Sequence, residues 1–329
     1  MPTRPVGDRS TIFYNPFRKK WVFSIRSYHF GKTFKRVRSY RESDQLLVNP
    51  DWDDAEESFW SRTDHLDVPD PAIGDMPQLY NLDAIAYESV MLGLFEIHLG
   101  PHNNTCARGG FPKTVDVKIG FSRDGFHWDR PSRDAFIPSA RREGAWDRGY
   151  VQSVGGCCLV FENELRFYYS GFRGAPEMAT DEEAPNSGMY ANGSTGVATL
   201  RRDGFASLDA HQGCGAVTTR PLSWQGQFLF VNADAGRGAI RAEVLDEAGR
   251  VMPGYDAASC IPFVGDRTKG MIAWRNHPCL PPPDGRPKRL RFHVEAASLY
   301  AFWVSRKATG ESDGFLAAGS KDYAFHRDV

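Results

Sequence analysis

The sequence has little helical periodicity, no long apolar run, and no excess of either charge. No segment approaches the ~18 consecutive apolar residues of a membrane span, and Met1–Asp8 has no apolar signal core. The 40 Lys and Arg residues balance 41 Asp and Glu residues, for a net charge of -1. This balance excludes a general binder of nucleic acid or of anionic membranes, which needs a basic surplus. As written, the chain is expected to be cytoplasmic; if the natural chain begins further upstream, a secreted or periplasmic location is expected instead.

Motifs for metals and cofactors are also lacking. The six cysteines form no C-x-x-C pair, and so few in 329 residues argue for buried free thiols rather than a disulfide framework. Gly-Pro separates His98 from His102 and breaks the helix that an H-x-x-x-H zinc site needs. There is no phosphate-binding loop, no G-x-S-x-G and no dinucleotide fingerprint. We therefore predict neither a metal nor a cofactor.

Aromatic residues and turn formers are abundant. Aromatics make up 13% of the chain, with 32 Gly and 21 Pro, and this composition predicts strands. The pattern predicts hairpins over residues 11–26 and 151–170, and one long strand, buried on both faces, over Ala84–Phe95. Asp51–Asp64 is the one stretch with helical composition. The basic segment Lys32–Arg41 is interpreted as a polar loop rather than an RNA site.

The pattern of predicted strands and turns differs between the two parts of the chain. In the first part, an apolar strand, a turn and an aromatic strand recur at spacings of about 45–75 residues, which is typical of propeller blades. From residue 206 onward the strands alternate cleanly, as in Leu290–Glu295, which predicts sheets with one solvated face. We therefore predict an all-β chain, with β-propeller blades over 1–205 and a jelly-roll-like β-sandwich with a C-terminal tail over 206–329.

One motif supports the propeller. Ser122–Trp128 (SRDGFHW) resembles the Asp box, S-x-D-x-G-x-x-W, which occurs in sialidase-like propellers, but it lacks the residue between the Asp and the Gly. In it, an aspartate caps the backbone amides of a turn between two blade strands and the tryptophan packs below. We interpret this motif as structural rather than catalytic.

The segment Leu79–Phe95 contains two acidic residues, Asp83 and Glu88, in otherwise apolar surroundings. An ionised carboxylate is costly there unless it reaches a polar cavity or a partner. The innermost strand of a propeller blade lines the central channel, so Glu88 could point into it with the raised pKa that a general acid requires. A structural glutamate in a salt bridge fits the pattern equally well.

Several strings resemble bacterial proteins similar to the five-bladed propellers of glycoside hydrolase families 32 and 43. In the first part these are residues 8–26, 80–95, 120–131 and 146–171, which include YNLDAIAYESVMLGLF and GFSRDGFHWDRP. Residues 203–210, 228–235 and 289–304 resemble the C-terminal sandwich of the same proteins. The resemblance spans nearly the whole chain.

In that superfamily, the resemblance implies three carboxylates around a funnel. By motif position Glu88 is expected to be the general acid, Asp8 an acid at a blade start, and Asp83 the third carboxylate, for which Asp147 is the other candidate. The side chains expected to bind substrate are those of Asp147, Gln152, Arg26, Arg173 and His98.

The chain departs from the superfamily in length. A five-bladed propeller needs about 300 residues, whereas about 200 precede the sandwich here. We therefore expect a propeller that is incomplete or shortened at its N-terminus, with a homo-oligomer covering the exposed sheet edge. The predicted function is a glycosidase that hydrolyses or transfers glycosyl groups of an oligosaccharide or polysaccharide with paired carboxylates. The alternatives are a non-catalytic carbohydrate-binding or assembly module, or an inactive fragment of a longer glycosidase.

Overall fold

The fold is described from a computed structural model, which describes residues 7–30, 34–46, 57–182 and 187–329. The α-helix of these residues, α1, is Asn103–Gly109. The strands are β1 Thr11–Asn15, β2 Lys20–Phe30, β3 Phe34–Ser43, β4 Ser58–Ser61, β5 Gln78–Glu88, β6 Val90–Gly100, β7 Thr114–Ser122, β8 Gly149–Phe161, β9 Glu164–Phe172, β10 Gly193–Arg201, β11 Leu208–Thr218, β12 Phe228–Leu245, β13 Phe263–Ile272, β14 Arg289–Ser305 and β15 Phe315–Leu316. The all-β prediction is confirmed.

The strands of the described residues form four sheets. Their orders are β1-β2-β3-β4, β15-β5-β6-β7, β10-β9-β8 and β11-β14-β12-β13. Apart from β15, the first three sheets are built from strands consecutive in the chain, three or four to a sheet, as propeller blades are. The C-terminal strands that the structure describes form one four-stranded sheet. The second layer of the predicted sandwich therefore stays a prediction.

The chain divides into two compact units. The first unit comprises Met1–Leu159, Arg166–Ala198 and Phe315–Gly319, and the second comprises Val160–Leu165, Thr199–Gly314 and Ser320–Val329. The longest segment of the second unit begins six residues before the predicted boundary at 205. The C-terminal tail is divided between the units. The predicted division into a propeller over 1–205 and a sandwich with its tail over 206–329 stays a prediction.

The apolar run expected to form one strand is a hairpin. Tyr87 pairs with Val90, so that Glu88 and Ser89 form a two-residue turn between β5 and β6, and Glu88 has a φ of 48°. One face of the hairpin contributes Leu82 and Phe95 to the apolar core of the first unit. The prediction of a single strand is wrong because no Gly, Pro or Asn marks this turn.

Two strands of the second unit are long and irregular. β12 runs from Phe228 to Leu245 through a register shift between Asp234 and Ala239. β14 likewise runs through Ala296, which has a φ of 43°. The irregularities redirect the strands without ending them, as β-bulges do. The inward faces pack around Trp274 and Phe292 in the core of this unit.

The helical predictions need correction. Asp51–Glu56 lies outside the described residues, and the remainder of the expected helix contains strand β4. The helix α1 instead begins at Asn103, two residues after Pro101, and the side chain of its N-cap residue His102 accepts a hydrogen bond from the backbone amide of Asn104. Proline is compatible with a helix start, although it interrupts a helix interior. Among the described residues, no helix has the length and apolar character needed to cross a bilayer.

The Asp-box segment has the geometry of a structural turn. The Asp124 carboxylate accepts hydrogen bonds from the backbone amides of Phe126 and His127 at 2.9 and 2.8 Å. The Trp128 ring packs edge-on against Phe95, with centroids 5.7 Å apart. These contacts satisfy the turn amides and anchor it to the core, which supports the structural interpretation.

The C-terminal tail completes a sheet of the first unit. Phe315 and Leu316 form β15 and pair with Glu88 and Tyr87 of β5, and Leu316 is fully buried. β15 therefore covers the edge of β5 over these two residues.

Candidate functional site

Two carboxylates, those of Asp83 and Glu96, lie close together on the β5–β6 hairpin. Asp83 pairs across the strands with Leu94, and Asn81 pairs with Glu96, so that Asp83 and Glu96 are diagonal neighbours on one face. The side chains on the opposite face of the hairpin pack in the apolar core, so Asp83 and Glu96 point away from that core. The side chains of Asp83 and Glu96 are 1% and 0% exposed.

Ser153 of β8 joins the two carboxylates. Its hydroxyl contacts Asp83 Oδ2 and lies 3.0 Å from Glu96 Oε1, and its backbone amide donates to the same Glu96 oxygen at 2.9 Å. A serine hydroxyl has one hydrogen, so it serves as full donor to only one carboxylate at a time. The Ser153 hydroxyl therefore links the two carboxyl groups through one oxygen of each.

Two arginines complete this group of charges. Arg9 Nη2 donates to Glu96 Oε1, lies 4.0 Å from Asp83 Oδ2, and has a side chain that is 23% exposed. Arg38 of β3 is fully buried, and its Nη1 donates to the backbone carbonyl of Arg9 at 2.9 Å. We call Arg9, Arg38, Asp83, Glu96 and Ser153 the carboxylate cluster.

Burial and neighbouring charges together shift the pKa values of the charged groups in the cluster. Burial raises the pKa of Glu96 above its usual value, and the charge of Arg9 offsets only part of the rise. Burial lowers the pKa of Arg38 to about 10, although Glu96 and Asp83 oppose the change. Burial also acts to lower the pKa of Arg9, but its two acidic neighbours raise it above the usual value. A carboxyl with a raised pKa beside two cations combines a proton donor with groups that stabilise negative charge.

An aromatic group adjoins the cluster. Tyr80 and Tyr150 share a hydrogen bond of 3.0 Å between their hydroxyls, and Lys113 Nζ donates to Tyr80 Oη at 3.2 Å. Lys113 Nζ also lies 4.4 Å from the centre of the Tyr150 ring. Burial raises the pKa of Tyr150, and the charge of Glu96 contributes to this rise, so the aromatic group and the carboxylates are electrostatic neighbours.

Several buried polar atoms of this region have no hydrogen-bond partner among the described residues. They are Asp83 Oδ1, Glu96 Oε2, Arg38 Nε and Nη2, both side-chain polar atoms of Asn81, and both ring nitrogens of His98. Burial, followed by the nearby charge of Arg36, lowers the pKa of His98 to about 3. Buried polar atoms normally find partners. A concentration of free donors and acceptors indicates a place where water or a ligand supplies the missing bonds.

Three of the residues predicted from sequence belong to this region. Asp83 is in the carboxylate cluster. His98 follows Glu96 by two residues on the same face of β6, with its ring centre 6.1 Å from that of Tyr80. Gln152 is buried on β8, two residues after Tyr150 on the same strand. Their roles in catalysis and substrate binding stay predictions.

Glu88 lies elsewhere. It is half-buried in the β5–β6 turn rather than inside a buried strand, which corrects the expected placement. Five residues of extended strand separate it from Asp83, or about 17 Å at about 3.3 Å per residue. The role of Glu88 as general acid stays a prediction, but Glu88 and the carboxylate cluster do not form one site.

The other predicted residues are at the surface or in turns. Exposed Asp8 forms an ion pair with Arg26, so a predicted acid and a predicted sugar-binding residue engage each other. Asp147 lies in the turn before β8 and accepts a hydrogen bond of 3.4 Å from Tyr169 Oη. Arg173 is exposed just beyond β9. The structure does not bring these four residues into the carboxylate cluster.

Of the carboxylate cluster, Asp83 is predicted from the sequence, whereas Arg9, Arg38, Glu96 and Ser153 are not. Glu96 had a usable signal, because it is an acidic residue in the apolar string VMLGLFEIHLG, the same signal that drew attention to Glu88. The basic composition of Lys32–Arg41 predicts a polar loop at Arg38, whereas residues 34–43 form strand β3. Ser153 carried no local signal, since its importance comes from carboxylates 57 and 70 residues away in the chain.

The clefts of the second unit are separate features. One cleft has a volume of about 520 Å³ and is lined by Asp246 and Lys288 among others, and another of about 410 Å³ is lined by Cys214 and His293 among others. Neither cleft has a lining residue in the carboxylate cluster. Within the described part of the chain, no group of three or more His, Cys, Asp or Glu side chains is arranged to hold a metal ion.

Comparisons with known proteins give distant similarities. No protein-family model matches the chain, and no curated protein is similar to it. Among solved structures, the chain is similar to a glycoside hydrolase with 10% identity and a TM-score of 0.31, over 58% of this chain and 44% of that one. It is also similar to a fructofuranosidase from Schwanniomyces occidentalis complexed with fructosylnystose, with 8% identity and a TM-score of 0.27, over 89% of this chain and 68% of that one. The structural neighbours are glycoside hydrolases, but similarities this distant assign neither families 32 and 43 nor an activity to the chain.

Proposed function

We propose that this chain is a carbohydrate-active protein of the glycoside hydrolase type, with Asp83 and Glu96 as its pair of carboxyl groups. The observation that carries the proposal is the pair itself, bridged by Ser153 in a buried polar region, with one oxygen of each carboxyl group unpartnered. Glycoside hydrolysis needs two carboxyl groups with different proton affinities. The buried Glu96, whose pKa is raised, suits the acid.

The separation of the carboxyl groups favours the retaining mechanism. Two hydrogen bonds that meet at the Ser153 hydroxyl hold their acceptor oxygens no more than about 6 Å apart. Retaining enzymes have carboxyl groups about 5–5.5 Å apart, and inverting enzymes about 6.5–9.5 Å. The shorter separation leaves no room for a water molecule behind the sugar.

The proposed chemistry uses the free oxygens. Glu96 gives its proton to the glycosidic oxygen, which leaves with the electron pair of the broken C–O bond, while Asp83 Oδ1 forms a bond to the anomeric carbon. Glu96, now a carboxylate, takes a proton from water as the water displaces Asp83 and regenerates both groups. Arg9 stabilises negative charge on the pair. Arg9 is the partly exposed member of the cluster. We therefore expect a movement of the Arg9 side chain to open the path by which substrate reaches the carboxyl groups.

The burial of the pair favours one alternative, a carbohydrate-binding protein without hydrolytic activity. Side chains that are 0% and 1% exposed require a rearrangement before they can contact a sugar. In this alternative the cluster is a structural ion-pair network, and breaking such a network by removing one partner is strongly destabilising.

The test is to assay the full-length protein and its Asp83→Asn and Glu96→Gln variants on a panel of aryl glycosides, with melting temperatures measured in parallel. We expect each variant to lose about 10²–10⁴-fold in kcat, with Glu96→Gln losing least on substrates with the best leaving groups. The control is Glu243→Gln, which removes a buried carboxylate of the second unit that is paired with Arg291 and should leave turnover unchanged. Large losses of melting temperature with unchanged turnover would overturn the catalytic proposal.

A further inference from the structure

Arg38 presents an unused pair of donors. Its Nη1 is held by the Arg9 carbonyl, which fixes the plane of the guanidinium, whereas Nε and Nη2 have no hydrogen-bond partner among the described residues. Nε and Nη2 lie on one edge of the guanidinium, and that edge binds a carboxylate through two parallel hydrogen bonds. Arg38 therefore holds a carboxylate-binding fork in fixed orientation.

The carboxylates of the cluster do not occupy this fork. Arg9 already pairs with Glu96 and lies near Asp83, and no carboxylate among the described residues is within the 4.0 Å ion-pair distance of Arg38. Glu96 and Asp83 are nonetheless the acidic groups that influence Arg38 most. A buried cation without a paired anion is unfavourable, so a bound anion at the fork would stabilise the site.

We propose that the carboxylate cluster accepts a sugar with its own carboxylate, a hexuronate residue of a glycan, and that Arg38 binds this carboxylate through Nε and Nη2. The inference rests on the proposed function for the sugar, whereas the preference for a carboxylate rests on Arg38 alone. The planar fork favours a carboxylate, and sulfate and phosphate are the competing anions.

The probe is a panel of trisaccharides of galacturonate, glucuronate and mannuronate, each compared with its methyl ester. The ester has nearly the same size and hydroxyl groups but lacks the charge. Binding to the full-length protein is measured by calorimetry, and inorganic sulfate and phosphate are titrated separately. We expect at least one acid to bind about 10- to 100-fold more tightly than its ester, the contribution of a charge-assisted bidentate contact.

Two variants of Arg38 separate binding from folding. Arg38→Met removes the fork and should abolish the preference for the acid over its ester. Arg38→Lys retains the positive charge and should fold if the methionine variant does not, yet it lacks the fork and should lose most of the preference. The control is Arg202→Met, which removes a buried arginine of the second unit that is paired with Asp328 and should keep the preference intact.

The outcomes separate this inference from the proposed function. A preference for acids that depends on Arg38, in a protein that hydrolyses no glycoside, supports the uronate site and rejects the hydrolase. Hydrolysis of neutral glycosides without a preference for acids supports the hydrolase and rejects the uronate site. Any of three results overturns the inference. In the first, no acid binds more tightly than its ester. In the others, the preference survives Arg38→Lys unchanged, or sulfate or phosphate binds more tightly than every uronate.

Discussion

Replacing Ser153 with alanine tests the coupling between the two carboxyl groups. The variant removes the hydroxyl that contacts Asp83 Oδ2 and Glu96 Oε1, while the backbone amide of residue 153 still donates to Glu96. The hydroxyl has one hydrogen, so the loss is about one hydrogen bond to a charged group, or about 1.5–3 kcal/mol. At about 2–4 °C per kcal/mol for a unit of this size, we expect the melting temperature to fall by about 3–12 °C.

The loss should depend on pH. The Ser153 hydrogen bond acts to lower the pKa of Glu96, whereas burial raises it overall. A carboxyl group with a folded-state pKa above its unfolded value reduces stability as pH rises from the unfolded value through the folded value. Removing the hydroxyl raises the folded-state pKa further, so the difference between wild type and Ser153→Ala should be smallest near pH 4 and grow toward pH 8.

The control for this experiment lies in the same unit. Ser139 donates to Asp116 Oδ1 through its backbone amide at 2.7 Å and its hydroxyl at 2.6 Å, in the same arrangement as Ser153 and Glu96, but without a second carboxylate bound to the hydroxyl. Ser139→Ala should lower the melting temperature by a similar amount without the increase toward pH 8. Thermal unfolding from pH 4 to 8 followed by circular dichroism measures both. A Ser153→Ala variant that melts within 1 °C of wild type throughout, at about the resolution of the assay, would refute the coupling.

Three further predictions concern other parts of the molecule. Arg9→Met removes the charge that lowers the pKa of Glu96, so the basic limb of the pH profile of kcat/KM should move to higher pH, and an unmoved limb would remove Glu96 as the acid. Asp124→Ala leaves the two turn amides it caps unsatisfied and should cost about 1–2 kcal/mol of stability without changing turnover, whereas a loss of turnover at an unchanged melting temperature would contradict the structural role of the Asp box. Residues 206–306, produced alone, should give the circular dichroism of a β protein and a cooperative urea transition, and an unfolded spectrum would show that this sheet needs the rest of the chain.

The strand content was predictable because alternation and turn chemistry are local. Glu162 and Asn163 form the turn between β8 and β9 where the sequence predicts one, since Asn favours turns. The turn at Glu88 and Ser89 has no such signal, and its position is set by the pairing of Tyr87 with Val90. Alternation in the C-terminal strands indicates one solvated face but does not indicate how many sheets share the core.

The site was less predictable than the fold because its contacts are non-local. Asp83 could be singled out as a charge in an apolar strand, and Glu96 satisfied the same criterion. Arg38 has the pattern of a surface basic residue, and only the pairing of β3 within its sheet shows that it is buried. A sequence therefore reveals which charges are unusual for their segment, but not which of them meet.

The pairing of β15 with β5 has a consequence for biosynthesis. The residues that cover the β5 edge at Tyr87 and Glu88 are Phe315 and Leu316, which leave the ribosome about 230 residues later, or about 10–45 s at usual translation rates. During that interval the end of the strand that carries Asp83 offers unpaired backbone groups to any neighbouring nascent chain. Closely spaced ribosomes on one messenger RNA would bring such strand edges together. Slower initiation, or a chaperone that covers exposed strand edges, should therefore raise the yield of soluble protein. Slower elongation should raise it less.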